Sequence, residues 1–154
     1  MRTINIKPVE IIGNCRANLT LDDEFQVDGV RLINPRQSNI CLGALSHLVP
    51  IVQQLQRETR CFAHAICPDC LSPVEPETRA VFLLGHADKW ELCQALSAYD
   101  RWCGECQEPD LARRLKEEAI QHQRRDEYSK AVEKMQAALE ELKRVMKVRC
   151  NALA

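Results

Sequence analysis

The chain has no apolar run approaching the ~18 residues of a membrane-spanning helix. Its opening, M-R-T-I-N-I-K-P-V-E, holds no apolar core of signal-peptide length. Neither sign of charge is in excess. The formal net charge is −1, so no overall field draws the chain to nucleic acid or to an anionic membrane. Basic residues in 108–150 alternate with acids and leave no stripe for a phosphate backbone. A Gly-rich phosphate loop, a serine nucleophile elbow and a carboxylate pair at informative spacing are all missing. The usual sequence signs of phosphoryl and acyl transfer are therefore absent.

Cysteine, by contrast, is abundant: nine in 154 residues. An odd number argues against a fully paired secreted framework. A cytoplasmic protein that keeps its thiols reduced or metal-bound fits best. The stretch from Cys61 to Cys106 carries most of them. It places Cys61, His64, Cys67 and Cys70 at intervals of three, then Cys103 and Cys106. C-P-D-C and C-G-E-C are tight turns that aim two sulfurs at one point. Pro68 fixes φ there, and Gly104 permits close backbone approach. Two such pairs in a small domain are a sign of a Cys₄ metal site.

Along the chain, Ile4, Ile6, Val9, Ile11 and Ile12 are β-branched and partly alternating, which predicts a first strand ending at Gly13. Phe25 and Val27, then Asp28-Gly29, then Val30, Leu32 and Ile33 predict a hairpin. From Ser38 or Asn39, either of which can cap, a helix is expected with Ile40, Cys41, Ala44, Leu45, Leu48, Val52 and Leu55 on one face. Pro50 should kink or split it. Residues 71–78 read as a loop. Ala80–Leu84 reads as a buried strand near the sheet centre, and Asp88 as the cap of a helix packing Trp90, Leu92, Cys93, Leu96 and Tyr99.

From Pro109 nearly every residue is a helix former. Leu111, Leu115, Ala119 and Ile120 face one way. Tyr128, Val132, Met135, Leu139, Leu142 and Met146 then follow at spacings of four and three, a heptad-like stripe. Either one long helix or a hairpin turning near Arg125-Asp126 fits. One tetratricopeptide-like unit is also visible in 128–139, without a second copy to bury its face. The first segment offers few apolar residues to cover six, so the stripe is expected to meet a protein partner or homodimer mate.

For the cysteines, two groupings arise: Cys67 and Cys70 with Cys103 and Cys106, or Cys67 and Cys70 with the isolated Cys15 and Cys41 at a strand end and a helix start. Four thiolates suit zinc, and equally an iron–sulfur cluster. C-P-D-C also has the form of a dithiol motif, but L-S-P-V-E-P after it cannot open a helix as a thioredoxin-like site requires. The Cys61/His64 ladder resembles a ferredoxin loop in spacing but lacks its ending. His47 reads as a core or boundary residue, His64 and His86 as secondary ligand candidates, and His122 as solvent-exposed. Cys93 reads as core, and Cys150 as a bystander.

Residues 9–83 resemble a family of small prokaryotic proteins of uncharacterised function. The resemblance rests on Cys15, Asp23-Glu24-Phe25, Cys41 with Ala44, Leu48 and Pro50, then Cys67-Pro68-Asp69 and Val81-Phe82. The chain departs from that pattern in lacking a proline after Cys41 and in adding the segment after about residue 85. The resemblance implies a three-segment cysteine site and no particular activity.

The expected architecture is α+β. A cysteine-rich metal-binding domain over 1–106, with a small antiparallel sheet and packed helices, carries a helical arm over 107–154. The expected function is a non-catalytic accessory subunit or adaptor whose zinc, or iron–sulfur cluster, staples the fold. Electron transfer through a cluster and dithiol oxidoreduction are the alternatives.

Overall fold

The computed structural model describes residues 1–13, 15, 17–67, 78–103 and 108–152, with side chains as far as Lys147. By compactness the chain divides between Trp90 and Glu91, within the span that composition assigned to the cysteine-rich domain.

The first unit is an antiparallel sheet with one helix against it. The strands are β1 (Ile4–Ile12), β2 (Phe25–Asp28), β3 (Arg31–Ile33), β4 (Phe62–Ile66) and β5 (Arg79–His86), in the order β3-β2-β1-β5-β4. The β2–β3 hairpin turns at Gly29, whose φ of 60° is the left-handed conformation that a two-residue turn asks of its first central residue. β1 is the middle strand and carries Pro8. The missing donor is tolerated because β2 pairs only with Ile4–Ile6, and the register with β5 shifts between Pro8 and Glu10. β5 is buried along most of its length, hence its unbroken apolar sequence.

The helix α1 (Leu42–Arg57) presents Ala44, Leu48, Val52 and Leu55 inward. They meet Ile4, Ile6, Phe25, Phe82 and Leu84 in one core. The helix begins later than Ser38 or Asn39 would place it, with Cys41 as its cap. Ser38 is engaged elsewhere. Its hydroxyl donates to Asp23, and its N–H donates to Asn34 Oδ1 at 3.1 Å. Pro50 does not split the helix. Ser46, whose carbonyl loses its bond, is exposed, so water can replace the missing donor. His47 points to solvent rather than lying at the core boundary, because the buried stripe is narrow and misses it.

β4 is a strand without a strand's usual sequence signature: Phe62, His64 and Ile66 alternate with small alanines and give it no continuous apolar face. Pairing with β5 makes it a strand, and the backbone of both flanking cysteines joins in. Cys67 N–H donates to Ala80 O, and His86 N–H to Cys61 O, each at 2.9 Å.

The second unit is helical. After a single 3₁₀ turn at Ala87–Lys89 come α2 (Trp90–Cys103), α3 (Asp110–Arg124) and α4 (Tyr128–Ala152). The last two form a hairpin, turning at Arg125-Asp126 with Asp126 at φ 57°. α3 buries Ala112 and Ala119, while Leu111 is exposed. On α4, Ala131, Val132, Met135, Ala138 and Leu142 are buried; Tyr128, Leu139 and Met146 are half-buried. Alanines on the facing surfaces of α3 and α4 let the two helices approach closely. The arm therefore needs fewer large apolar residues than the six-residue stripe suggested. His122 is not free in solvent as expected: its Nδ1 lies 2.6 Å from Glu127 Oε2 across the turn.

Candidate functional site

Two loops converge where α1 begins. In the first, Asp23 Oδ2 accepts the N–H of Thr20 at 2.6 Å and its hydroxyl at 3.2 Å, while Oδ1 accepts Ser38 Oγ–H. Burial raises the Asp23 pKa. The hydrogen bonds from Ser38 and Thr20, with the charge of Arg36, outweigh it and hold the carboxyl below its ordinary value. Asp23 thus ties the 18–23 loop to the segment that delivers Cys41. No sequence motif marked that role. The signal available was Asp three residues after Thr, a local side-chain-to-backbone turn.

Cys41 caps α1. Its Sγ accepts the Ala44 N–H at 3.2 Å, the position of an N-cap oxygen. Cys67 closes β4 on the neighbouring side. The two sulfurs are 3.5 Å apart. Cys41 is half-buried and Cys67 is 2% exposed. Cys15, also half-buried, packs against the same apolar cluster as both. The approach to Cys15 is set by Gly13, at φ 69°, where a Cβ would stand 2.5 Å from Thr78 Oγ1.

The structure thus brings Cys41 and Cys67 together and sets Cys15 on the same cluster. Cys70, its Pro68 turn, Cys106 and Gly104 lie outside the described residues, as does most of the loop at 71–78 and the Cys150 side chain. Among the described residues no three His, Cys, Asp or Glu side chains form a group able to hold a metal, and no disulfide joins two cysteines. Cys103 belongs to the second unit, where its Sγ lies 4.0 Å from Glu108 Oε1. The same oxygen accepts the hydroxyl of Tyr99 at 2.7 Å. Burial first, and then the bond to Glu108, push the Tyr99 phenol well above its ordinary pKa. Cys61 is buried at the start of β4, and Cys93 is fully buried on α2.

His86 is a structural pin. Its ring Nε2 lies 2.9 Å from Leu55 O. A carbonyl only accepts, so Nε2 carries the proton and is withdrawn from metal binding. His64 stands edge-on to Phe62, with ring centroids 5.7 Å apart. A separate apolar crevice of about 270 Å³ runs between α1 and the β2–β3 hairpin, lined by Val27, Val30, Leu32, Leu45, Val49 and Val52 among others.

Comparison with protein-family models, with curated proteins and with solved structures found no match to the chain. No helix of the described residues is long and apolar enough to cross a membrane.

Proposed function

We propose that the chain is a non-catalytic adaptor or accessory subunit whose first unit is stapled by a thiolate-bound metal, zinc in the first instance. The 3.5 Å separation of the Cys41 and Cys67 sulfurs carries the reading. Two thiolates on one tetrahedral zinc, each at about 2.3 Å, stand about 3.8 Å apart. The pair therefore needs little rearrangement to become one edge of such a site. Cys70, three residues past Cys67, supplies a third thiolate by its spacing. Cys15, which packs against the same apolar cluster, is the candidate for a fourth. Neither Cys103 nor Cys106 belongs to this set. A reducing, cytoplasmic setting keeps the set competent.

An iron–sulfur cluster on the same donors, with electron transfer as its task, is the alternative that the donor chemistry supports equally. Metal analysis of anaerobically purified full-length protein separates the two. The expected result is about one zinc per chain in a colourless sample, lost in Cys67→Ser. Brown protein with absorbance near 400 nm would assign the cluster. A metal-free chain whose melting curve ignores chelators would overturn both.

In this reading the second unit is the docking arm. Tyr128, Leu139 and Met146 keep part of their apolar surface outside the α3–α4 seam, and a protein partner or a second copy would cover it. Val132, Met135 and Leu142 are already buried and take no part. Sedimentation of the full chain against Leu139→Glu tests the arm, with loss of an assembly as the expected result.

A further inference from the structure

We infer that Cys41 and Cys67 are a peroxide-sensitive dithiol, with Cys41 as the attacking sulfur and Cys67 as the resolving one. The inference goes beyond the metal reading and needs only the sulfur pair. Its consequence for a bound metal rests on that reading.

Exposure separates the roles, and contact between the sulfurs lets the second step follow the first. Cys41 Sγ accepts an amide N–H at the first turn of a sixteen-residue helix. Cys41 is half-buried, whereas Cys67 is 2% exposed. A small oxidant therefore meets Cys41 before Cys67. The second sulfur is already in contact at 3.5 Å, so closure to a disulfide of about 2.05 Å asks for roughly 1.5 Å of movement. Cys61 cannot compete for Cys67. The two stand at opposite ends of β4, about 20 Å apart along an extended strand.

The chemistry balances with a hydroperoxide as the oxidant. The Cys41 thiolate attacks one peroxide oxygen and the O–O bond breaks. Hydroxide leaves and takes a proton, and Cys41 becomes a sulfenic acid. The Cys67 thiol then attacks the Cys41 sulfur as it gives up its proton, and the hydroxyl leaves with that proton as water. Overall, two thiols and one hydrogen peroxide become one disulfide and two waters. Where the pair holds zinc, both donors are lost and the ion is released, so the oxidation state of the pair sets whether the staple is present.

The test uses full-length, chelator-treated, reduced protein exposed to hydrogen peroxide, alkylated and mapped by mass spectrometry without reduction. The expected result is a cross-link between the Cys41 and Cys67 peptides. It should show a mass loss of two hydrogen atoms, reversed by dithiothreitol. In Cys67→Ser, a sulfenic acid should accumulate on Cys41 and be trapped by dimedone. Cys93→Ser should leave the cross-link unchanged. A cross-link of Cys67 to Cys70, any cross-link through Cys15, or oxidation of Cys41 to sulfinic acid without cross-linking in the wild type would overturn the inference. Dimedone on a cysteine other than Cys41 in the Cys67→Ser protein would overturn the assignment of roles. The same treatment of zinc-loaded protein reports on the metal separately. Zinc release in step with the cross-link supports both readings, whereas a cross-link in protein that never takes up zinc sinks the metal reading alone.

Discussion

Cys41 caps α1 while its sulfur touches that of Cys67 at the end of β4. One side chain thus serves a helix terminus and a cross-segment contact at once. The two roles are separable because a hydroxyl can replace a thiol in the first and not in the second.

In reduced, metal-free protein, Cys41→Ala should cost about 0.5–2 kcal/mol through the lost cap. Cys41→Ser should recover most of it. Denaturant melts of both variants in chelator and reductant check this. A serine variant as unstable as the alanine one would show that the sulfur's packing, rather than capping, is what matters there.

With zinc present the ranking changes. Cys67→Ser and Cys70→Ser should both lower the melting temperature of zinc-loaded protein, since metal binding adds directly to folding free energy. Chelator should lower it in the wild type and leave the variants unmoved. Equal chelator responses in wild type and Cys67→Ser would count against the site.

Gly13→Ala meets two obstacles, a left-handed φ of 69° and Thr78 Oγ1 at 2.5 Å. A destabilisation of about 1–3 kcal/mol is expected. Combining it with Thr78→Ser leaves the hydroxyl in place and should rescue little, whereas Thr78→Ala should relieve the contact and leave the φ strain. Melting curves of the three proteins test this ordering.

Asp23 links acidity to the cysteine loops. Its folded pKa is lowered, so its contribution is fully present above the ordinary carboxylate value and fades as pH falls through the folded one. Wild-type stability should therefore fall on acidification more steeply than that of Asp23→Asn, which has nothing to protonate there. At pH 7 the variant should be about 1–3 kcal/mol less stable. Parallel acid slopes in chemical denaturation would remove Asp23 from this role. Glu127, lowered to about 2 by hydrogen bonds from Lys130 and then His122, acts in the same direction at the hairpin turn.

On the arm, Met135→Ala should cost about 2–5 kcal/mol, because the side chain is fully buried. Leu139→Ala should cost clearly less in isolated protein, since it is half-buried. If a partner covers Leu139, that variant should weaken association while barely moving the melting temperature of the lone chain. An equal loss of stability for both variants would place Leu139 in the arm's own core.

Local pattern alone was enough to locate β1, the β2–β3 hairpin, β5, α1 and the helical arm. Each has a repeat of two or of three and four, a glycine turn or an unbroken apolar run written into contiguous residues. Composition likewise singled out cysteine as the residue on which the proposed chemistry rests. Tertiary structure decided what local pattern cannot encode. β4 is a strand because β5 offers its backbone, not because its own residues alternate. Cys41 rather than Ser38 caps α1 because Asp23 and Asn34, distant or in the preceding loop, occupy Ser38 first. His86 is a pin because folding brings the Leu55 carbonyl to its ring, across 31 positions of chain. Cys41 and Cys67, 26 residues apart, touch because a helix start and a strand end meet at one edge of the core. That meeting depends on the order of strands in the sheet, which no spacing of cysteines specifies.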